Sequence, residues 1–217
     1  QSFADYCSGK AILPPVTNLD ITEANGEVHI KSGHIRSYEN YCVKIASGFW
    51  DNNKKGLPSS YGIMVLFNAE TGALTGLLFD EGLLTDLRTA AAGAVASKYL
   101  AKETVTSIGV IGTGVQARLQ VRLLSEVRDF KTLKVWGRRD ETVEKYKEDM
   151  SKEMPGIEII ICGSPTETAK DVDILITATI VKSPLVSKSD LHPGIHITAL
   201  GSDGPDKQEV NTDVFQT

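Results

Sequence analysis

The stretch Val110–Arg118, VIGTGVQAR, leads from an apolar run through two closely spaced glycines into a helix-forming segment. Residues 112–117 fit the pattern G-x-G-x-x-[G/A], which is weak alone but here stands between a predicted strand and a predicted helix. Gly112 would permit the tight turn, Gly114 would let the backbone approach a pyrophosphate, and Ala117 would keep the helix close to the strand. The N-terminus of the helix would offer N–H groups and partial positive charge to phosphates. The alternative is a glycine turn that only joins two elements.

Outward from this turn, predicted strands and helices alternate regularly to residue 201. The strands are continuously apolar: TSIGVIG (106–112), TLKVWG (132–137), GIEIIIC (156–162), VDILITAT (172–179) and IHITALG (195–201). Such strands separated by helices predict βαβ units with right-handed crossovers, and therefore a doubly wound parallel sheet of the Rossmann type. Because the sheet stops after its fifth strand, we expect the sequence to be truncated at its C-terminus.

The first half of the chain has a different pattern of predicted elements. Short strands at 26–35 and 41–49, and a hairpin at 61–80 that turns at 68–72, predict a mostly antiparallel sheet. An alanine-rich helix is expected at about 84–101. We therefore predict an α/β protein with two domains: an α+β substrate-binding and dimerisation domain over residues 1–103, and an NAD(P)-binding Rossmann domain over residues 104–217.

Composition narrows the classes of partner. The net charge is −5, and there is no block of lysine and arginine, so neither nucleic acid nor an anionic membrane is an expected partner. There is no apolar run of membrane-spanning length and no signal-peptide pattern, which favours a cytoplasmic protein. The three cysteines (Cys7, Cys42 and Cys162) are widely spaced, so reduced thiols are expected and no metal site.

The end of the second Rossmann strand discriminates between cofactors. An NAD site usually has an acidic residue about 20 positions after the glycines, which binds the ribose 2′-hydroxyl. This chain instead has Arg138 and Arg139, with no carboxylate before Asp140. Two guanidiniums suit a 2′-phosphate by charge and by bidentate geometry. NADP(H) is therefore preferred, with NAD(H) as the alternative. A pair of solvated surface arginines would give the same pattern.

Three further positions are candidates for chemistry. Asp203 follows the last strand, at the edge of the sheet where ligands bind in doubly wound folds, although an Asp between glycines also stabilises its own turn. Lys44 interrupts the apolar strand CVKIA, so it either points to solvent or is held for use. Arg88 and Thr89 lie in the alanine-rich helix, where small neighbours would let a ligand approach; a surface role is equally consistent.

Several blocks together resemble the ornithine cyclodeaminase/μ-crystallin family, over almost the whole chain from about residue 15. The most specific blocks are LTDLRTAAAGAVA and GSDGPDKQE, and details such as LDITEANGEVHIK look most like the cyclodeaminase-like subgroup of ectoine utilisation. The remaining blocks are VKIASGF (43–49), GLPSSYG (56–62), GVIGTGVQARLQ (109–120), VWGRR (135–139) and DILITATIVKSPLV (173–186).

The resemblance implies a homodimer and a role for each matching residue. Lys44 would contact the substrate carboxylate and assist proton transfer, Arg88 would clamp the same carboxylate, and Asp203 would be the acid or base toward the nitrogen. Cofactor contacts would come from the turn residues 112–117, which include Gln116. Thr113 and Val115 would lie over the phosphates, and Thr179 and Ile180 near the nicotinamide.

One departure from the family puts ornithine in doubt as the substrate. Family members often have a carboxylate-binding arginine upstream of the lysine, whereas the first arginine of this chain is Arg36. Either Lys31 or Arg36 replaces it, or the substrate differs from ornithine.

Three functions fit the resemblance. The leading hypothesis is an NAD(P)H-dependent imino-acid reductase or amino-acid dehydrogenase that acts on the α-carbon of a small substrate. The second is a cyclodeaminase, a lyase that releases ammonia and keeps NAD tightly bound. The third is a non-catalytic, crystallin-like protein that binds NADP and a small ligand.

Overall fold

The structure is a computed structural model and describes residues 1–202, 204 and 206–216. The chain divides into two compact units, Gln1–Thr85 and Asp86–Thr217. We expected a boundary after residue 103, but the observed boundary lies near the start of the alanine-rich helix. The reason is that this helix packs within the second unit, where its residues Ala90 and Ala94 are buried.

The first unit is an antiparallel sheet, as predicted. Its strand order is β1-β3-β4-β5-β6, and β2 pairs with β3 at the same edge as β1. The elements are α1 (Ser2–Cys7), β1 (Ala11–Ile12), β2 (Thr17–Ile21), β3 (Gly26–Ile35), β4 (Asn40–Phe49), β5 (Ser60–Asn68) and β6 (Leu74–Leu78). The hairpin turn between β5 and β6 is stabilised by the Asn68 side chain, which accepts hydrogen bonds from the backbone N–H groups of Glu70 and Thr71.

The two faces of this sheet differ in character, because successive side chains of a strand point to opposite faces. Ile30 pairs with Ile45, which pairs with Ile63, so one face is apolar across its three long strands. Ile30 and Ile45 are 38% and 37% exposed. Lys31 pairs with Lys44, which pairs with Met64, on the other face.

The second unit contains the predicted Rossmann-type sheet. Its strand order is β11-β10-β7-β8-β9, with every pair parallel, which confirms the doubly wound arrangement. The elements are α2 (Leu83–Leu100, which starts in the first unit), β7 (Ser107–Ile111), α3 (Val115–Ser125), β8 (Thr132–Trp136), α4 (Asp140–Glu153), β9 (Glu158–Ile161), α5 (Pro165–Ala169), β10 (Ile174–Thr177) and β11 (His196–Ala199).

The core of the second unit lies between this sheet and its helices. It is formed by strand residues such as Val110 and Leu133 with helix residues such as Val121 and Met150, all with no exposed surface. Helices α2 and α3 approach each other closely at Gly93, where an added Cβ would collide with the Oε1 atom of Gln120. None of the helices in the described part of the chain combines the length and hydropathy that crossing a bilayer would need.

Candidate active site

The glycine turn at residues 112–114 has the geometry that its sequence predicts. Gly112 has φ of +123°, and its N–H donates to the carbonyl of Trp136 at 2.8 Å. A Cβ there would lie 2.5 Å from the carbonyl oxygen of Ala178. This position therefore requires glycine both for its backbone conformation and for its space.

The N-terminus of α3 is open. Gly114 is its N-cap, no side chain caps it, and its first turn holds no acidic residue. No atom lies within 4 Å of the place where a Cβ of Gly114 would stand. The free N–H groups and the partial positive charge of the helix terminus are therefore available to an anion. Ala117, in this first turn, is fully buried and lets α3 pack against the sheet.

The other residues of the turn have separate surroundings. The Cγ2 atom of Thr113 packs against Gly137 at the end of β8, where a Cβ would lie 2.8 Å from it. Val115 is 59% exposed at the start of α3. The side-chain amide of Gln116 donates to the Asp86 carboxylate at 2.9 Å, so this side chain links α3 to α2.

A cleft of about 390 Å³ is formed by residues that follow the carboxyl ends of β8 and β10. It is lined by Arg138 and by residues 180–185, which include Ile180. Arg139 does not line it: its carbonyl accepts hydrogen bonds at the start of α4 and its side chain is exposed. Within the described residues, neither guanidinium forms an ion pair. The two arginines, equivalent in the sequence pattern, thus occupy different positions.

Thr179 lies just beyond the carboxyl end of β10 and is held by a carboxylate that no sequence motif indicates. Its backbone N–H and its hydroxyl both donate to Oε1 of Glu209, at 2.6 and 2.7 Å. Glu209 has no exposed surface. No periodicity marks this glutamate, because Thr179 lies 30 residues before it in the sequence. Its presence in a block resembling the family was the only signal.

In the first unit, the structure brings Lys31 and Lys44 together. They are register partners on β3 and β4, with Lys44 half-buried and Lys31 exposed. The ammonium of Lys44 donates to the hydroxyl of Thr85 at 3.2 Å. Arg36, the other cation considered as a replacement for the upstream arginine, lies beyond the end of β3. Only Lys31 of these two therefore faces Lys44 in the sheet.

Arg88 and Thr89 lie in the second unit, on the α2 segment that packs beside α3. Arg88 is exposed, and the carbonyl of Thr89 accepts a hydrogen bond from the Gln120 side chain at 3.1 Å. Asp203, the predicted acid or base, lies outside the described residues. The residue before it, Ser202, accepts a hydrogen bond from the Glu209 backbone N–H at 3.0 Å. Among the described residues, no three His, Cys, Asp or Glu side chains are grouped as metal ligands.

The strand order and the glycine turn define the class: an α/β protein with a Rossmann-type unit and a separate antiparallel unit. The chain belongs to the ornithine cyclodeaminase/mu-crystallin family, which it matches over residues 1–217. This confirms the resemblance read from the sequence blocks.

Individual relatives support the same assignment. The chain is 39% identical over 199 residues to an uncharacterized cyclodeaminase, y4tK, of Sinorhizobium fredii, covering 92% of this chain and 60% of the relative. Among solved structures, Thermococcus litoralis Δ1-pyrroline-2-carboxylate reductase in complex with NADH and L-proline has a TM-score of 0.91 at 36% identity, over 98% of this chain and 65% of the other.

An archaeal alanine dehydrogenase, a dimer with bound NAD, also has a TM-score of 0.91, at 31% identity over 98% of this chain and 64% of the other. This chain therefore spans a little under two thirds of the length of each of these relatives.

Proposed function

We propose that this protein is an NAD(P)H-dependent oxidoreductase that acts on the α-carbon of a small amino or imino acid, as an imino-acid reductase or an amino-acid dehydrogenase. The observation that carries the proposal is the open, uncapped N-terminus of α3 behind Gly112 and Gly114. Its N–H groups would bind the pyrophosphate, with Thr113, Val115, Thr179 and Ile180 as further contacts. When bound, the dinucleotide supplies or accepts the hydride.

The side chains proposed to bind the substrate are three cations and one carboxylate. Lys31 and Lys44 would bind the substrate carboxylate, and Arg88 is a further cation for the same group. Holding the carboxylate fixes the α-carbon, which contributes mainly orientation. Asp203 would protonate the substrate nitrogen, because an imine accepts hydride readily only when it is protonated. The likeness to a reductase that binds L-proline supports a substrate of this size and class.

For the cofactor, we propose a preference for NADP(H). Arg138 and Arg139 are exposed, and neither guanidinium is neutralised by an ion pair in the described part of the chain. An incoming 2′-phosphate would therefore find two unpaired cations where an NAD site usually has a carboxylate. The solved relatives hold NADH or NAD. NAD(H) is therefore the alternative cofactor, and the experiment must compare it with NADP(H).

The test is direct. The protein is incubated with NADPH or NADH and a panel of cyclic ketimines, and with 2-oxo acids plus ammonia, while absorbance of the reduced cofactor is followed. We expect oxidation of NADPH with at least one member, faster than oxidation of NADH. A protein that binds neither dinucleotide, or binds one and oxidises it with no member of the panel, contradicts the proposal.

A second candidate is a cyclodeaminase, favoured by the 39% identity to a relative of that name. Such an enzyme releases ammonia from ornithine or another diamino acid, and it returns the hydride to the product. Ammonia release without net change of the cofactor would select this function over the first.

We further propose that the protein is a homodimer that pairs through the apolar face of the first unit's sheet. Ile30, Ile45 and Leu77 on this face are 38%, 37% and 46% exposed. Contiguous exposed apolar residues on a sheet face favour burial against another protein surface. The archaeal alanine dehydrogenase is itself a dimer, which supports a second copy as the partner.

A further inference from the structure

Glu209 is a fully buried carboxylate to which four groups donate hydrogen bonds. Its Oε1 atom accepts from the N–H of Thr179 at 2.6 Å and from the hydroxyl of Thr179 at 2.7 Å. Its Oε2 atom accepts from the N–H of Gly201 at 2.7 Å and from the hydroxyl of Thr177 at 2.9 Å. Each oxygen thus accepts from one backbone N–H and one hydroxyl, which is the arrangement that satisfies a buried carboxylate.

These donors come from two neighbouring strands. Thr177 ends β10 and Thr179 follows it, whereas Gly201 follows β11. One side chain therefore spans the carboxyl edge of two adjacent parallel strands and fixes the first residues of both loops. This edge is where ligands bind in open α/β sheets.

The main chain of Glu209 also binds to the loops that follow β10 and β11. Its N–H donates to the Ser202 hydroxyl at 3.0 Å, and its carbonyl accepts from the N–H of Leu185 at 2.8 Å. Leu185 lines the cleft that also contains Arg138. Glu209 is therefore bonded to the loop after β10, to the loop after β11 and to one wall of the cleft.

The loops are also packed tightly around this carboxylate. A Cβ at Gly201 would collide with the carbonyl oxygen of Thr179, and it would lie 2.7 Å from the Glu209 carboxylate. Burying a carboxylate is costly, and an apolar side chain of similar volume would usually fill such a space at lower cost. The retained charge is therefore best explained by the defined geometry that it imposes on the two loops.

We propose that Glu209 is a positioning residue for hydride transfer. It holds Thr179 in place for the cofactor, and it holds Gly201 and Ser202, the residues that lead into Asp203. The inference rests on the proposed function. Glu209 would act by orientation, because small displacements of the groups that hold the reactants lower the reaction rate by large factors.

The main test is Glu209→Gln. The amide has nearly the same size, but its NH₂ group cannot accept, so the N–H of Thr179 or of Gly201 loses its partner. We expect kcat to fall about 30- to 100-fold, with the substrate KM changed less than about 3-fold. The Kd for NADPH, measured by fluorescence titration without substrate, should rise about 5-fold, because one loop on the cofactor side is released.

The matched control is Glu167→Gln. Glu167 also accepts from a backbone N–H, that of Gly163 at 2.7 Å, but it is exposed and lies at α5. We expect its kcat and its NADPH Kd to equal those of the unmodified protein. If Glu209→Gln lowers only the melting temperature, with kcat and Kd unchanged in the folded protein, Glu209 is merely structural and the proposal is overturned.

A second variant keeps the proposal testable if Glu209→Gln does not fold. Thr177→Val removes one hydrogen bond to Oε2 but keeps the charge and the other three bonds. We expect kcat to fall about 3- to 10-fold, and an unchanged kcat and Kd would overturn the proposal. Dinucleotide binding by the unmodified protein is measured first. If the unmodified protein binds no dinucleotide, the proposed function itself is contradicted. If it binds normally and the variants keep its kcat and Kd, only the role of Glu209 is contradicted.

Discussion

Lys31 and Lys44 lie directly opposite each other on the antiparallel strands β3 and β4. Like charges at such a pair destabilise a sheet, because the Cβ atoms are only about 5 Å apart. An anion bound to both ammonium groups would relieve this repulsion. In the proposed function, this pair binds the substrate carboxylate.

The first prediction separates these two effects. Lys31→Gln should raise the free energy of unfolding of the ligand-free protein by about 0.2–1 kcal/mol. The same change should raise the substrate KM about 10-fold with little effect on kcat, because a contact made equally in the ground and transition states is lost. Chemical denaturation and steady-state kinetics measure the two quantities. Lys55→Gln, on an exposed lysine outside the sheet, is the control and should change neither.

The second prediction concerns the two glycines of the turn. Substitution of Gly112 should lower stability, whereas substitution of Gly114 should weaken cofactor binding. Gly112→Ala should lower the free energy of unfolding by about 2–4 kcal/mol, because of its positive φ and the contact with Ala178. Gly114→Ala should leave the melting temperature nearly unchanged, since its backbone is extended and its surroundings are open. Its Kd for NADPH should still rise at least 10-fold, because the methyl group occupies the pyrophosphate approach. Equal melting temperatures for the two variants would contradict this interpretation.

The third prediction tests cofactor preference. Arg138→Gln and Arg139→Gln should each weaken NADPH binding, with a combined effect of about 10- to 100-fold. NADH binding should change less than about 2-fold, because NADH lacks the 2′-phosphate. We expect Arg138 to contribute more, since it lines the cleft and Arg139 does not.

The control for this experiment is Arg122→Gln, on an exposed arginine of α3 that is paired with Glu153. Titration of each variant with both cofactors gives the comparison. Losses of equal size for NADH and NADPH would show that the arginines bind a part common to both cofactors and would refute the 2′-phosphate assignment.

The fourth prediction is a dependence of stability on pH. Burial raises the pKa of Asp173, but the Lys102 ammonium and the N–H groups of Thr106 and Ser107 outweigh burial and lower it to about 2. A lowered folded-state pKa means that the stabilisation is present above about pH 3.8, the ordinary value, and is lost as the pH falls toward 2. Its size is about 2 kcal/mol.

Asp173→Asn should therefore lower the free energy of unfolding at pH 6 and flatten its slope between pH 4 and pH 2. Denaturation curves across this range measure both. The control is Glu148→Gln, which removes an exposed carboxylate paired with Lys152; because solvent screens that pair, the slope should change much less than in Asp173→Asn. If the free energy of unfolding of Asp173→Asn falls as steeply with pH as that of the unmodified protein, other carboxylates cause the acid sensitivity.

The fifth prediction concerns assembly. Ile45→Lys places a charge in the centre of the apolar sheet face and should raise the dimer dissociation constant at least 100-fold. Light scattering over a concentration series measures it. Ala73→Lys introduces the same charge at the exposed β5–β6 turn and should leave the dimer intact. A monomeric unmodified protein, or a dimer insensitive to Ile45→Lys, would exclude this face as the interface.

Most of the Rossmann-type unit was predictable, because its central strands β7 and β10 are almost entirely buried and the turn after β7 contains two glycines. The helix beginning at Val115 and the five-strand sheet follow from those local signals. Strand β2 was not predicted: Thr17–Ile21 pairs along only one side and is mostly exposed, so it lacks an alternating apolar pattern.

For the candidate site, the sequence indicated individual residues but not their arrangement. The strand of Lys44 was recognised, whereas its register with Lys31 depends on a pairing between strands that local sequence does not encode. The different positions of Arg138 and Arg139 depend on the point where α4 begins. Glu209 was missed because three of its four donors belong to Thr177 and Thr179, about 30 residues earlier in the chain, and no short-range sequence pattern indicates such a network.

The close approach of α2 and α3 at Gly93 and Gln120 has a consequence for evolution. A methyl group at position 93 would collide with the Gln120 side chain, so a larger residue at one position requires a smaller one at the other. Homologous sequences should therefore exchange size between these two positions in a correlated way. Such a correlation would report the packing of this helix pair and not catalysis.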